Sequence, residues 1–267
     1  TAGGVVAIGA WSMRSNTTGA NNTASGWGSL CDNTTGGCNA AHGTHALSKN
    51  VSGHCNTAVG ESALRNNTTG GCNVAVGTAA LLCNTTGRYN IGIGRNAGGD
   101  NATSNYNTMV GYFAGRNTTQ GCNTFIGGQS GYTNTSGGNN TGLGLNSMYY
   151  NTTGGNNTAL GRSSLEKNTT ASNNAGVGYR SLCSVTTGTQ NVSLGGTSGS
   201  SITTGSCNVV IGYNAQAYGS GTNNSIVIGH NISGCGSNTV LIGNANTLNN
   251  YFYGTVHADG FCSYSGN

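Results

Sequence analysis

A chain of 267 residues with 49 glycines, no proline and only 5% charged residues matches no ordinary globular composition, and points to repetition rather than to compact domains. Its formal net charge of +4 is small for the length and the nine Lys and Arg are scattered, so the electrostatic footprint of a nucleic-acid binder is missing. Disordered chains are usually highly charged and proline-rich; this one is neither, so its order has to come from a pattern.

The chain opens on Thr1 with no charged-then-apolar leader, and no run of 18 apolar residues follows, so nothing is expected to span a membrane. A start at Thr rather than Met suggests a processed chain or a missing upstream part. A glycine then recurs at Gly9, Gly26, Gly43, Gly60, Gly77, Gly94 and Gly111, always 17 residues apart. One residue is lost before Gly127, the spacing resumes through Gly144, Gly161, Gly178, Gly195, Gly212 and Gly229, and a shorter step reaches Gly243. Around this glycine, taken as position 0, the unit reads N-T-A-V-G-x-x-A-L-x-x-N-T-T-G-x-x, clearest at residues 56–70 and 157–170.

Position −1 is an apolar column (Ile8, Val59, Val76, Ile93, Val110, Ile126, Leu143) and position −3 is β-branched (Val6, Thr23, Thr57, Val74, Ile91, Thr108). Alternation with no 3.6-residue period predicts one short strand per unit. Position +4 is a second apolar column (Met13, Leu30, Leu47, Leu64, Leu81, Met148, Leu165, Leu182), preceded by Ala or Ser, and together these columns are expected to fill a thin core. The Asn-Thr-Thr-Gly segments at Asn16, Asn33, Asn67, Asn84 and Asn151 read as corners, where Asn bonds nearby backbone and Gly accepts positive φ. Residues 17 apart should stack between neighbouring strands, so Asn22, Asn39, Asn56, Asn73, Asn90 and Asn107 are expected to form an amide ladder. The predicted fold is all-β: a parallel β-solenoid, or β-roll, of about fifteen 17-residue coils over residues 1–246, roughly 70 Å long, with residues 247–267 as a C-terminal cap or junction strand.

Chemistry-bearing residues are sparse. The five carboxylates, Asp32, Glu61, Asp100, Glu166 and Asp259, are too dispersed for an acid/base pair, so no catalytic residues and no cofactor are expected. Cys38, His42, His45 and Cys55 are the weak candidates for a metal site, against a plain reading of His42 as a core substitute and His45 as a surface residue. Cys38, Cys55 and Cys72 share one column, with Cys122 and Cys207 returning to it, which leaves open intrachain disulfides, interchain bridges, or reduced thiols acting as small fillers. The Asn-x-Thr triplets match a glycosylation pattern that the turn itself generates. Trp27, Tyr112, Tyr179 and Tyr213 are candidate surface aromatics, suited either to carbohydrate or receptor contact or to packing between chains.

The run N-T-A-V-G-E-S-A-L at residues 56–64 resembles the head repeats of trimeric autotransporter adhesins, with the Asn-Thr-Thr-Gly corner as an addition to their shorter unit. The longer repeat is similar to those of phage and large-virus fibre proteins that precede an endosialidase-type intramolecular chaperone. This resemblance implies a left-handed coil, a homotrimer and an extracellular place on a virion or cell surface. Residues 251–260, Y-F-Y-G-T-V-H-A-D-G, followed by Phe261, resemble the strand just before such a self-cleaving chaperone, which implies a mature product left by chaperone release; a plain C-terminal cap is the other reading. The functional expectation is a non-catalytic fibre or adhesin-head segment whose partners are itself and a host glycan or surface receptor, with no nucleic acid and no membrane insertion. An ice-binding β-solenoid is the alternative, and a polysaccharide-degrading solenoid enzyme a further one.

Overall fold

The computed structural model describes residues 3–244, so Thr1, Asp259 and the segment 247–267 lie outside the described residues. Each unit contributes one three-residue strand, from β1 (Val6–Ile8) and β2 (Thr23–Ser25) through β4 (Thr57–Val59) to β14 (Ile226–Ile228) and β15 (Val240–Ile242). All fifteen form one parallel sheet in strict chain order. The register follows the repeat: Thr57 lies opposite Val74, Thr108 opposite Thr124 where one residue is lost, and Ile226 opposite Val240 in the shortened last step. The chain is therefore a β-solenoid, all-β, in which every sequence column becomes a row of stacked side chains. Among the described residues no helix is long and apolar enough to cross a membrane.

The rows at −3 and −1 point outward, not into the core. A three-residue strand projects its middle residue to one side and its two flanks to the other, and here the middle residue faces in. Ala24, Ala41, Ala58 and Ala75 are fully buried, whereas Ile8, Leu143 and Leu194 are 64%, 38% and 50% exposed. His42, in the −1 row, is accordingly no core substitute: it lies on the outer sheet face with its Nδ1 2.8 Å from Ser25 Oγ. The interior is built from position −2 with the Ala/Ser row at +3 and the Leu row at +4, and it is narrow. Leu47, Leu64 and Leu81 fill it opposite Ala or Gly. Where +4 is Gly115 or Gly131, the strand centre is Met109 or Phe125, and a Cβ on Gly131 would sit 2.5 Å from the Phe125 ring. Volume is exchanged between the two rows, as a close-packed interior requires.

The repeat glycine at position 0 has two reasons to be glycine. At Gly26 and Gly60 φ is +130°, and a Cβ there would lie 2.6 and 2.7 Å from the carbonyl carbon of the next coil's glycine. The corner glycine differs from the expectation of positive φ. At Gly36 the backbone is outside the left-handed region, but a Cβ would strike Asn33 Oδ1 at 2.5 Å and the Gly53 carbonyl oxygen, so close approach decides the residue. Left-handed backbone falls instead on non-glycine rows: Leu30, Leu47 and Leu64 at φ 48°, 51° and 50°, and Asn21, Cys38 and Cys55 at 57°, 59° and 59°.

Two buried amide ladders replace charge as the polar stabiliser. In the expected one, each Asn Oδ1 accepts the backbone N–H of the next Asn, as from Asn56 to Asn39 (2.9 Å) and from Asn73 to Asn56 (3.0 Å), while Asn56 Nδ2 reaches across its own turn to the Gly70 carbonyl (2.9 Å). This ladder runs past Asn107 to Asn208, where Ser225 ends it. The corner asparagines form a second ladder, side chain to side chain: Asn33 Nδ2 donates to Asn16 Oδ1 at 2.8 Å, Asn50 to Asn33 at 2.7 Å and Asn67 to Asn50 at 2.7 Å. It breaks at two places: Asn101 turns its amide to Ser104, leaving Asn84 Oδ1 unpaired, and Val185, which has no donor, follows Asn168, whose Oδ1 is likewise unpaired.

Candidate functional site

With the interior filled by apolar side chains and hydrogen-bonded amides, the candidate sites lie on the outside, where three rows or clusters stand out. The outer sheet face carries the −1 row, which is Val, Ile or Leu in every strand from β4 to β15 but Ser25 and His42 in the two strands before, beside a −3 row of Thr, Val, Ile and Ala. Exposed members include Val59, Ile93, Ile126, Leu143, Leu194 and Ile242. Scattered exposed apolar residues are ordinary, but a continuous apolar stripe is not.

The cysteine column is the second feature. Cys38, Cys55 and Cys72 stack as predicted, exposed and as free thiols. Partial desolvation in the row, followed by the flanking Cys38 and Cys72, pushes the Cys55 thiol above its usual range, which lowers its thiolate fraction at neutral pH. The row then passes through Tyr89 and Tyr106, stacked at 5.1 Å, before Cys122. Of the four metal candidates only Cys38 and Cys55 are brought side by side. Cys38 and Cys55 lie ahead of the strands, His42 at a strand end beside Ser25, and His45 beyond the turn glycine against Trp27. Among the described residues no three His, Cys, Asp or Glu side chains gather as a metal set.

The aromatics form the third. Trp27, Tyr112, Tyr179 and Tyr213 are all exposed, as expected for surface residues. Their neighbours were not foreseen. Trp11 sits 6.5 Å from Trp27, and His45 packs edge-on to Trp27 at 4.5 Å. With Arg14, Lys49, Arg65 and Asp32 these rings line a cleft of about 250 Å³. Arg14 lies over the Trp11 ring at 4.8 Å. Burial, then the adjacent Asp32 carboxylate, pushes the Cys31 thiol on the cleft wall upward, with Arg14 opposing. Arg65 Nε is shielded from solvent and has no hydrogen-bond partner. Further along, Tyr112, Phe113, Tyr132 and Tyr149 make a second aromatic run, in which Arg116 Nη1 donates to the Tyr132 hydroxyl at 3.2 Å. No single column shows either cluster; the signal is the stacking rule itself, which puts residues 17 apart, give or take one or two, side by side.

The described carboxylates stay apart. Asp32 and Asp100 share a row but are four coils distant, about 19 Å at strand spacing; Glu61 lies two coils from each, about 10 Å along the stack and in another column, against the roughly 5–9.5 Å of a glycosidase pair. No family model matches the chain, and no curated protein matches it.

Proposed function

We propose that this chain is a structural segment of an extracellular fibre or adhesin head, non-catalytic, and that it self-associates, as a homotrimer, along its outer sheet face. The observation that carries the reading is the outward apolar stripe. Its members recur once per coil over twelve successive strands, from Val59 of β4 to Ile242 of β15, about 50 Å at strand spacing, so a partner must present the same period over the same length. A parallel copy of this chain does so. The resemblance to trimeric adhesin and fibre repeats supports three as the number and a virion or cell surface as the place. Small-angle X-ray scattering tests the proposal: three chains side by side give a cross-section several times that of one coil, whereas a thin single-chain rod contradicts it.

A second reading has one observation in its favour. The −3 row, with Thr23, Thr57, Thr108, Thr124, Thr141 and Thr158, lies on the outer face of a regular sheet rather than in the core, which is the arrangement an ice-binding surface needs. Ala40, Val74, Ile91 and Val192 interrupt it. Thermal hysteresis in the purified protein would move this reading ahead; its absence removes it.

A further inference from the structure

We infer that the cleft between Trp27 and Arg65 is a binding site for a sugar that carries a carboxylate. The chain has two tryptophans and nine Lys and Arg in all. Both tryptophans and three of those cations, Arg14, Lys49 and Arg65, line this one cleft. Such a concentration in a chain with 5% charged residues is not what a merely solvated surface shows. Each component matches a part of an acidic pyranose. The tilted Trp11 and Trp27 rings, 6.5 Å apart, offer apolar faces to the C–H side of a ring. Arg65 also lines the cleft, and its guanidinium can meet a carboxylate oxygen in a charge-assisted bond. Asp32 supplies an acceptor for sugar hydroxyls, and Lys49 a second cation. Arg14 already lies over one face of the Trp11 ring, at 4.8 Å. The volume, about 250 Å³, is below the roughly 300–1,000 Å³ of drug-sized sites and suits one ring with its substituents.

Single-stranded nucleic acid, which also uses aromatic rings and cations, fits less well. It needs a basic track over about 4–16 nucleotides, whereas the coil after Arg65 presents Thr78, Ala79, Leu82 and Cys83 on the same side.

The inference gives the attachment reading a receptor class but does not depend on association: self-assembly is judged by mass, and this site by ligand binding. Because both tryptophans lie in the cleft, their emission reports on it alone. The test titrates the full chain with N-acetylneuraminic acid and with glucuronic acid, and in parallel with glucose, inorganic phosphate and a thymidine oligonucleotide. A saturable change in emission with either acid, at least tenfold weaker with glucose and phosphate, is expected. Arg65→Gln should weaken it tenfold or more while the far-ultraviolet circular dichroism stays unchanged, and Lys49→Gln is the second variant should Arg65→Gln perturb the fold. The inference is overturned if neither acid changes the emission, if glucose, phosphate or the oligonucleotide acts at the same concentration, or if a folded cleft variant binds as the parent does.

Discussion

The two sides of the same strands are built on opposite rules. Facing in, the middle residue of each strand is mostly as small as the chain allows, Ala24, Ala58 or Gly92, and volume is traded with the row at +4 so that Phe125 meets Gly131. Facing out, the flanking residues are the large β-branched and Leu side chains that a globular protein would bury, and Leu194 is 50% exposed. The difference teaches that one chain completes its own interior, while the outer face is left as the surface along which we propose that copies join. Stability of the coil and association of coils should then be separable by mutation.

The largest effect is expected inside. Phe125→Ala should lower stability by about 3–5 kcal/mol, and combining it with Gly131→Leu should restore much of the loss, because Ala with Leu is the pair used by Ala58 and Leu64. Thermal melts of the two single variants and the double read this coupling. Next comes the second amide ladder: Asn67→Ala removes the donor to Asn50 Oδ1 and the acceptor for Asn84 Nδ2, both buried. About 2–3 kcal/mol should be lost in denaturant titration, with a smaller loss for Asn16→Ala at the open end of the ladder. Outside, the triple change of Ile93, Ile126 and Leu143 to Thr should shift the stability of a single chain by no more than about 1.5 kcal/mol, yet weaken association at least tenfold in sedimentation experiments. Smallest is Cys55→Asn, which places a residue tolerant of left-handed backbone at φ 59° and should be neutral or stabilising by a few tenths of a kcal/mol.

Much of this was legible in the sequence because the repeat is strict. The 17-residue glycine register fixes the strand pairing, and the Leu column at +4 and the Asn column at −4 lie where their periodicity puts them. The orientation of the strands was not legible. A strand of three residues gives only two flanks and one centre, and alternation alone cannot say which side is inside when the apolar flanks outrank an Ala centre. The corner glycine misled for a related reason: glycine signals either positive φ or close approach, and only the position of Asn33 Oδ1 and the next carbonyl separates them. The cleft at Trp27 was hidden because its residues are spread over three columns, Trp11 and His45 at +2, Trp27 at +1 and Arg65 at +5, and over successive coils, so no linear motif contains them.

The central claim is that the outer stripe joins copies of this chain. Native mass by multi-angle light scattering, with and without reductant so that bridging through Cys38, Cys55 or Cys72 is separated from packing, tests it most directly. Three chains per particle in both conditions is the predicted result; a particle of one chain, stable at high concentration with its outer Ile and Val rows exposed to water, would contradict it.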